Sequence, residues 1–254
     1  MKLGITQYAA RPDGRGYLEY AAELGLDGVE PYIGDTDSES LSWSVRDCER
    51  LARRAAELGV RIPSVAVGVF NGDPAIVEAP GREAAVRITT DCLRFTASIG
   101  AETMLLCTYI KSDPDTPDRK SNLLQVVRDV EPTARELGIR IGLESPIPAA
   151  EFAEFVDEIG SDCVGIYYDV GNSVHLGFDP AEEIGILGDR IIAMHVKDTV
   201  SIMGDAHLGK GRVDLPASMA ALKRIGYDGW IVIETQGGDD AATRADVRVM
   251  RQYL

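Results

Sequence analysis

The chain has 254 residues, 45% of them hydrophobic and 26% charged, enough to bury a large core and close to the usual length of one eight-fold β/α barrel. Its 41 acidic residues outnumber 26 basic ones, and a net charge of −15 argues against nucleic acid and anionic membranes, which call for clustered Lys and Arg. No apolar run approaches the roughly 20 residues that span a bilayer. Cys48, Cys92, Cys107 and Cys163 are scattered without a CxxC pair, as in a reduced cytoplasmic protein. The opening MKLGITQYAA reads as a strand rather than a signal peptide, so a cytoplasmic location is expected.

Eight short apolar runs follow one another, at 2–6, 28–33, 61–67, 102–107, 140–144, 164–169, 191–197 and 230–235. They are rich in Ile and Val without strict alternation, as parallel strands buried on both faces should be. Amphipathic stretches separate them, including 17–24, 45–58, 83–99, 123–137 and 217–225. Five of the joints (LGLDGVE, LGVRIP, IGAET, LGIRIG and IGYDGW) place a glycine between helix and strand, where positive φ ends the helix at little cost. Asp179-Pro180 and Pro216 mark two helix starts. The pattern predicts an α/β fold, a single (β/α)₈ TIM barrel spanning residues 1–254. The longest irregular segments, 34–44, 68–81, 111–120 and 200–215, all follow strands and so belong to the end of the barrel that carries function.

Four of the last strands finish on metal-binding side chains: Glu144 in RIGLES, Asp169 in VGIYYD, His195 in IIAMHVKD and Glu234 in WIVIET. Three carboxylates and one imidazole form an oxygen-rich ligand set for a divalent cation. Mn²⁺ is the first expectation, with Mg²⁺, Co²⁺ or Zn²⁺ as alternatives. Residues two apart share a strand face, so the small Gly142 and Ala193 below the donors are expected to leave room at the barrel top. Glu144 and Glu234, coming from the fifth and eighth strands, would flank the ion from opposite sides. Such a pair suits removal of a proton from one face of a carbon and its return to the other, while the ion stabilises an enediolate. Next to a ketose carbonyl, that chemistry gives epimerisation or aldose–ketose isomerisation.

The motifs LES at Glu144, YYDVGN, HVKDT, LGKGRVD and IGYDGWIVIET resemble the xylose isomerase-like TIM barrel superfamily. Within it the resemblance is to the sugar phosphate isomerase/epimerase family, which includes D-tagatose 3-epimerase and L-xylulose 5-phosphate 3-epimerase. It implies that Glu144, Asp169, His195 and Glu234 bind one metal ion and that Glu144 and Glu234 are the catalytic acid/base pair. It implies a small sugar or sugar phosphate as substrate, ketose 3-epimerisation as the reaction, and a homo-oligomeric assembly. The free-ketose type carries a His where this chain has Asn172, an Arg where it has Ser201 and a Glu where it has Ala150. An inosose dehydratase-like lyase and a non-catalytic sugar-binding barrel are the alternatives. The related apurinic endonucleases need more histidines than His175, His195 and His207 supply.

Other candidates for substrate binding are weaker. Lys197 shares the face of His195 and competes with a salt-bridge role beside Asp169. Asn172 is either a substrate contact or a turn cap. Glu30, closing the second strand in GVEPY, is either pocket-lining or a structural carboxylate paired across the barrel. His207, Arg212 and Phe70 lie on loops of the functional end, where packing or a local ion pair is the competing account.

Overall fold

The computed structural model describes residues 1–10 and 16–254. Among these residues nine parallel strands form a nearly closed barrel with helices between them: β1 Lys2–Thr6, β2 Gly28–Glu30, β3 Tyr32–Ile33, β4 Ser64–Val67, β5 Thr103–Cys107, β6 Arg140–Glu144, β7 Val164–Asp169, β8 Ile191–Val196 and β9 Trp230–Ile233. The second stave, expected as one run over 28–33, is split into β2 and β3 by Pro31. Proline has no N–H to give the ladder. Its carbonyl still accepts from Ala66 N–H at 2.8 Å, so the stave continues across the break. β2 pairs with β1 and β3 with β4, and β9 returns to β1 with Lys2 opposite Trp230. The TIM barrel predicted from the repeat is the observed fold.

The helices are α1 Tyr17–Glu23, α2 Val45–Glu57, α3 Arg82–Ser98, α4 Pro117–Leu137, α5 Ala149–Ile159, α6 Val170–Leu176, α7 Pro180–Leu187, α8 Leu215–Arg224 and α9 Asp240–Met250. The glycines of the five predicted joints, Gly25, Gly59, Gly100, Gly138 and Gly226, all sit at φ between 64° and 75°. Helix starts are fixed by side chains. Asp179 accepts from the N–H groups of Ala181 and Glu182, and Asp214 accepts from that of Ala217. Losing one such cap typically costs about 1 kcal/mol. α4 starts six residues before the apolar period does, because Thr116 caps it and Pro117 fits its first turn. α6 was not evident in the periodicity. It is seven residues long and begins directly on the last residue of β7.

The main core lies between the sheet and the helices. Ile5, Val29, Val65, Met104, Leu106, Ile141, Ile166, Met194 and Ile233 point outward into it and are fully buried. Burying each such side chain stabilises the fold by about 1.5–3 kcal/mol. The barrel interior holds a separate small cluster of Ala66, Leu105, Tyr167 and Ala193. Gly142 does leave space, but Tyr167 takes it: a Cβ at Gly142 would stand 3.1 Å from the Tyr167 side chain. The inner layer is filled, and the pocket at the four donors lies above the strand ends.

Candidate active site

Parallel register brings the strand ends level. Cys107 lies opposite Glu144, Asp169 opposite His195, and His195 opposite Val232, two residues before Glu234. One donor atom each from Glu144, Asp169, His195 and Glu234 falls within 4.8 Å of the others. Glu144, Asp169 and His195 are buried, and Glu234 keeps 18% of its side chain exposed.

Each donor is held from behind. Asp169 is the N-cap of α6, and its Oδ1 accepts from Asn172 N–H at 2.7 Å, which leaves Oδ2 facing the centre. Asn172 also donates through Nδ2 to Glu144 Oε1 at 2.8 Å, so the DVGN segment orients two donors at once. His195 Nε2 lies 2.7 Å from Glu30 Oε1, while Nδ1 faces Glu234 Oε2 at 3.1 Å and Asp169 Oδ2 at 3.8 Å. Tyr8 donates its hydroxyl to Glu234 Oε1. Lys197 Nζ donates to Glu234 Oε2 at 2.6 Å and lies 3.1 Å from Asp169 Oδ2. Its aliphatic stem packs on Gly171, where a Cβ would come within 2.4 Å of Lys197 Cγ.

This arrangement fits a divalent cation. Among the described residues Asp169 Oδ2 and His195 Nδ1 are buried without a hydrogen-bond partner, and the Lys197 contact to Oδ2 has ion-pair distance but not hydrogen-bond alignment. A buried polar atom left unmatched costs about 1–3 kcal/mol. An ion at that point would satisfy Asp169 Oδ2 and replace the proton that the carboxylates draw onto His195, and carboxylate oxygens with one imidazole suit a hard or borderline divalent ion.

Electrostatics point the same way. Burial, aided by the Glu234 charge, pushes Glu144 up to about 8, and burial pushes Asp169 up to about 6 against the pull of Lys197. Burial would raise Glu234 as well, but Lys197 and His195 hold it well below the ordinary carboxylate range. Burial disfavours a charged His195, yet Glu234 and Glu30 together raise it well above its usual value. With Glu144 and Asp169 raised, the folded metal-free chain binds protons that the unfolded chain has released, so stability falls as pH rises through their folded values. His195 has the same sign above its ordinary value, and the Glu234 contribution is already complete by mild acid. Metal-free protein is therefore expected to lose about 3–6 °C of melting temperature between pH 6 and pH 8. A melting temperature that stays level or rises over that interval, measured by scanning calorimetry in chelator, would contradict a protonated Glu144.

A pocket of about 240 Å³ lies over the donors, lined by Tyr8, Tyr32, Ala66, Gly68, Asn71, Leu105, Cys107, Glu144, His195 and Glu234. The sequence did not single out Tyr8 or Asn71 for it. Asn71 Oδ1 accepts from Tyr109 N–H at 3.1 Å and so ties the loops after β4 and β5 together. Cys107 also lines the pocket, and its signal in the sequence is that it ends a strand. Burial, with the nearby Glu144 charge, raises it well above the usual thiol value and makes it a poor nucleophile.

The remaining candidates lie elsewhere. Glu30 is fully buried beneath His195, outside the pocket lining. Phe70 is fully buried in the main core. His207 Nδ1 lies 2.7 Å from Asp246, which also accepts from Thr235 Oγ1 and Leu208 N–H. The Arg212 side chain is exposed on a loop folded around the buried Asp198 carboxylate, which accepts from the N–H groups of Thr199, Gly209, Gly211 and Val213. A larger groove of about 930 Å³ between the loop after β3 and α3 holds none of the four donors. Among the described residues no helix is long and apolar enough to cross a membrane.

Comparison with known proteins agrees with this fold. The family model for the xylose isomerase-like TIM barrel matches residues 18–253. L-ribulose-5-phosphate 3-epimerase UlaE of Salmonella typhi is 27% identical over 266 aligned positions, covering 99% of this chain and 93% of that protein. The structure of D-allulose 3-epimerase from Methylomonas sp. in complex with D-allulose superposes with a TM-score of 0.83 at 17% identity, covering 100% and 97% of the two chains. That of 3-keto-D-glucoside 4-epimerase YcjR from E. coli gives 0.79 at 18% identity, over 99% of each. At these identities the structural matches speak to the fold alone.

Proposed function

The chain belongs to the xylose isomerase-like TIM barrel family, and from that premise we propose that it is a divalent-metal-dependent 3-epimerase of ketoses or ketose phosphates. The observation that carries this reading is the pairing of Glu144 and Glu234 within one four-donor cluster, both lining the same small pocket. The names of its relatives agree: the protein matched along almost all of the chain is a ribulose-5-phosphate 3-epimerase.

Glu144, Asp169, His195 and Glu234 would hold the ion. When bound, it supplies Lewis-acid stabilisation of the negative charge that develops on the substrate oxygens next to the reacting carbon. Mn²⁺ suits the donor set best. The protein's own groups move the proton. Lys197 and Tyr8 hold both oxygens of Glu234, and Lys197 keeps that carboxylate ionised, ready to accept a proton. Glu144, the other glutamate of the pair, is buried and oriented by Asn172. Glu144 and Glu234 are assigned as base and acid for one epimer, with the roles reversed for the other. A pocket of about 240 Å³ has the scale of a small sugar.

The test is incubation of Mn²⁺-loaded protein in deuterated water with a panel of free ketoses and ketopentose 5-phosphates. Deuterium should appear at the carbon beside the carbonyl, together with the 3-epimer and no loss of mass. A product lighter by one water would make the enzyme a lyase, and absence of exchange across the panel would remove the epimerase assignment.

A further inference from the structure

We propose that Glu30 is a positioning residue, a buried carboxylate that fixes the His195 ring with Nε2 protonated so that Nδ1 alone faces the donor cluster. Glu30 ends β2, fully buried, and reaches across the barrel interior to β8, where its Oε1 lies 2.7 Å from His195 Nε2. Its other oxygen is already committed, since Oε2 accepts from the Tyr167 hydroxyl at 2.7 Å and from Ser64 Oγ. A carboxylate is an acceptor only, so the Nε2 side of the contact is the donor. The Tyr167 ring packs on the imidazole, centroids 4.6 Å apart, and removes the remaining rotational freedom. Four staves thus join in one hydrogen-bonded unit that turns Nδ1 toward Asp169 and Glu234, where an ion would take its lone pair in place of a proton.

A purely structural role explains this poorly. A buried ion pair is often no more stable than the apolar packing that could replace it. An anionic partner behind an imidazole does have a specific effect, because it sets the tautomer and makes the facing nitrogen a better donor. Loss of such partners typically costs about 10–100-fold in metal affinity.

This inference rests on the four donors binding an ion, and Zn²⁺ serves as a diamagnetic probe of it. The chain has only three histidines, so spectra of protein labelled with ¹⁵N-histidine are readable residue by residue. In the Zn²⁺-loaded protein, His195 should show a coordinated Nδ1 and a slowly exchanging proton on Nε2. Glu30→Gln and Glu30→Ala should weaken Zn²⁺ binding by about 10–100-fold, and the slow proton should vanish in Glu30→Ala. Coordination through Nε2 in the unaltered protein overturns the proposal, and that measurement needs no variant to fold. So does Zn²⁺ affinity unchanged within about threefold in both variants. Failure of the unaltered protein to take up Zn²⁺ or Mn²⁺ would remove the metal assignment itself, whereas uptake through Nε2 removes only the role of Glu30.

Discussion

Replacing either Glu144 or Glu234 by Gln is expected to lower epimerisation by about 10³-fold or more, with the fold intact. Glutamine keeps the shape and one oxygen, so an ion still has a ligand, but the amide neither accepts nor delivers a proton at neutral pH. Interconversion needs both glutamates, one for each face of the carbon. Exchange of the substrate proton with solvent needs only the one that faces it. Residual deuterium exchange should therefore survive with one epimer in Glu144→Gln and with the other in Glu234→Gln. Separate assays on the two purified epimers read this directly. Exchange into the same epimer in both variants would mean that a third group serves as its base and would break the two-glutamate mechanism. Unimpaired interconversion in either variant would take that residue out of the acid/base pair.

Stripping divalent ions with a chelator should abolish epimerisation and lower the melting temperature by about 5–10 °C, both restored by Mn²⁺. The size follows from linkage: a ligand at 100 times its dissociation constant adds about 2.7 kcal/mol to a fold of this size. Its source is visible at the site, where donor atoms of three carboxylates and an imidazole stand within 4.8 Å and two buried polar atoms have no hydrogen-bond partner among the described residues. Lys197 relieves part of that repulsion but reaches only Glu234 and Asp169 closely. The restored gain should be larger at pH 8 than at pH 6, because protons compete for Glu144 and Asp169 at the lower value. Full activity in the chelated, metal-analysed protein would end the metal assignment.

Much of this protein was legible in the chain because its signals are local. Strand runs, amphipathic helices and the glycines between them depend on residues a few positions apart, and the barrel followed from their repetition. The strand-end placement of Glu144, Asp169, His195 and Glu234 followed too, since parallel staves of similar length must finish at one level. The break at Pro31 was equally local and went unmarked inside an apolar run. What only the tertiary structure decided is which atom of each donor turns inward and what holds it there. Glu30 and His195 are 165 residues apart, and Tyr8 and Glu234 are 226 apart. Such contacts depend on the register and twist of the closed sheet and on the side chains filling it, above all Tyr167 in the space left at Gly142. The sequence names the donors because strand alternation is short-ranged; their orientation is set by contacts across the barrel, which exist only once it has closed.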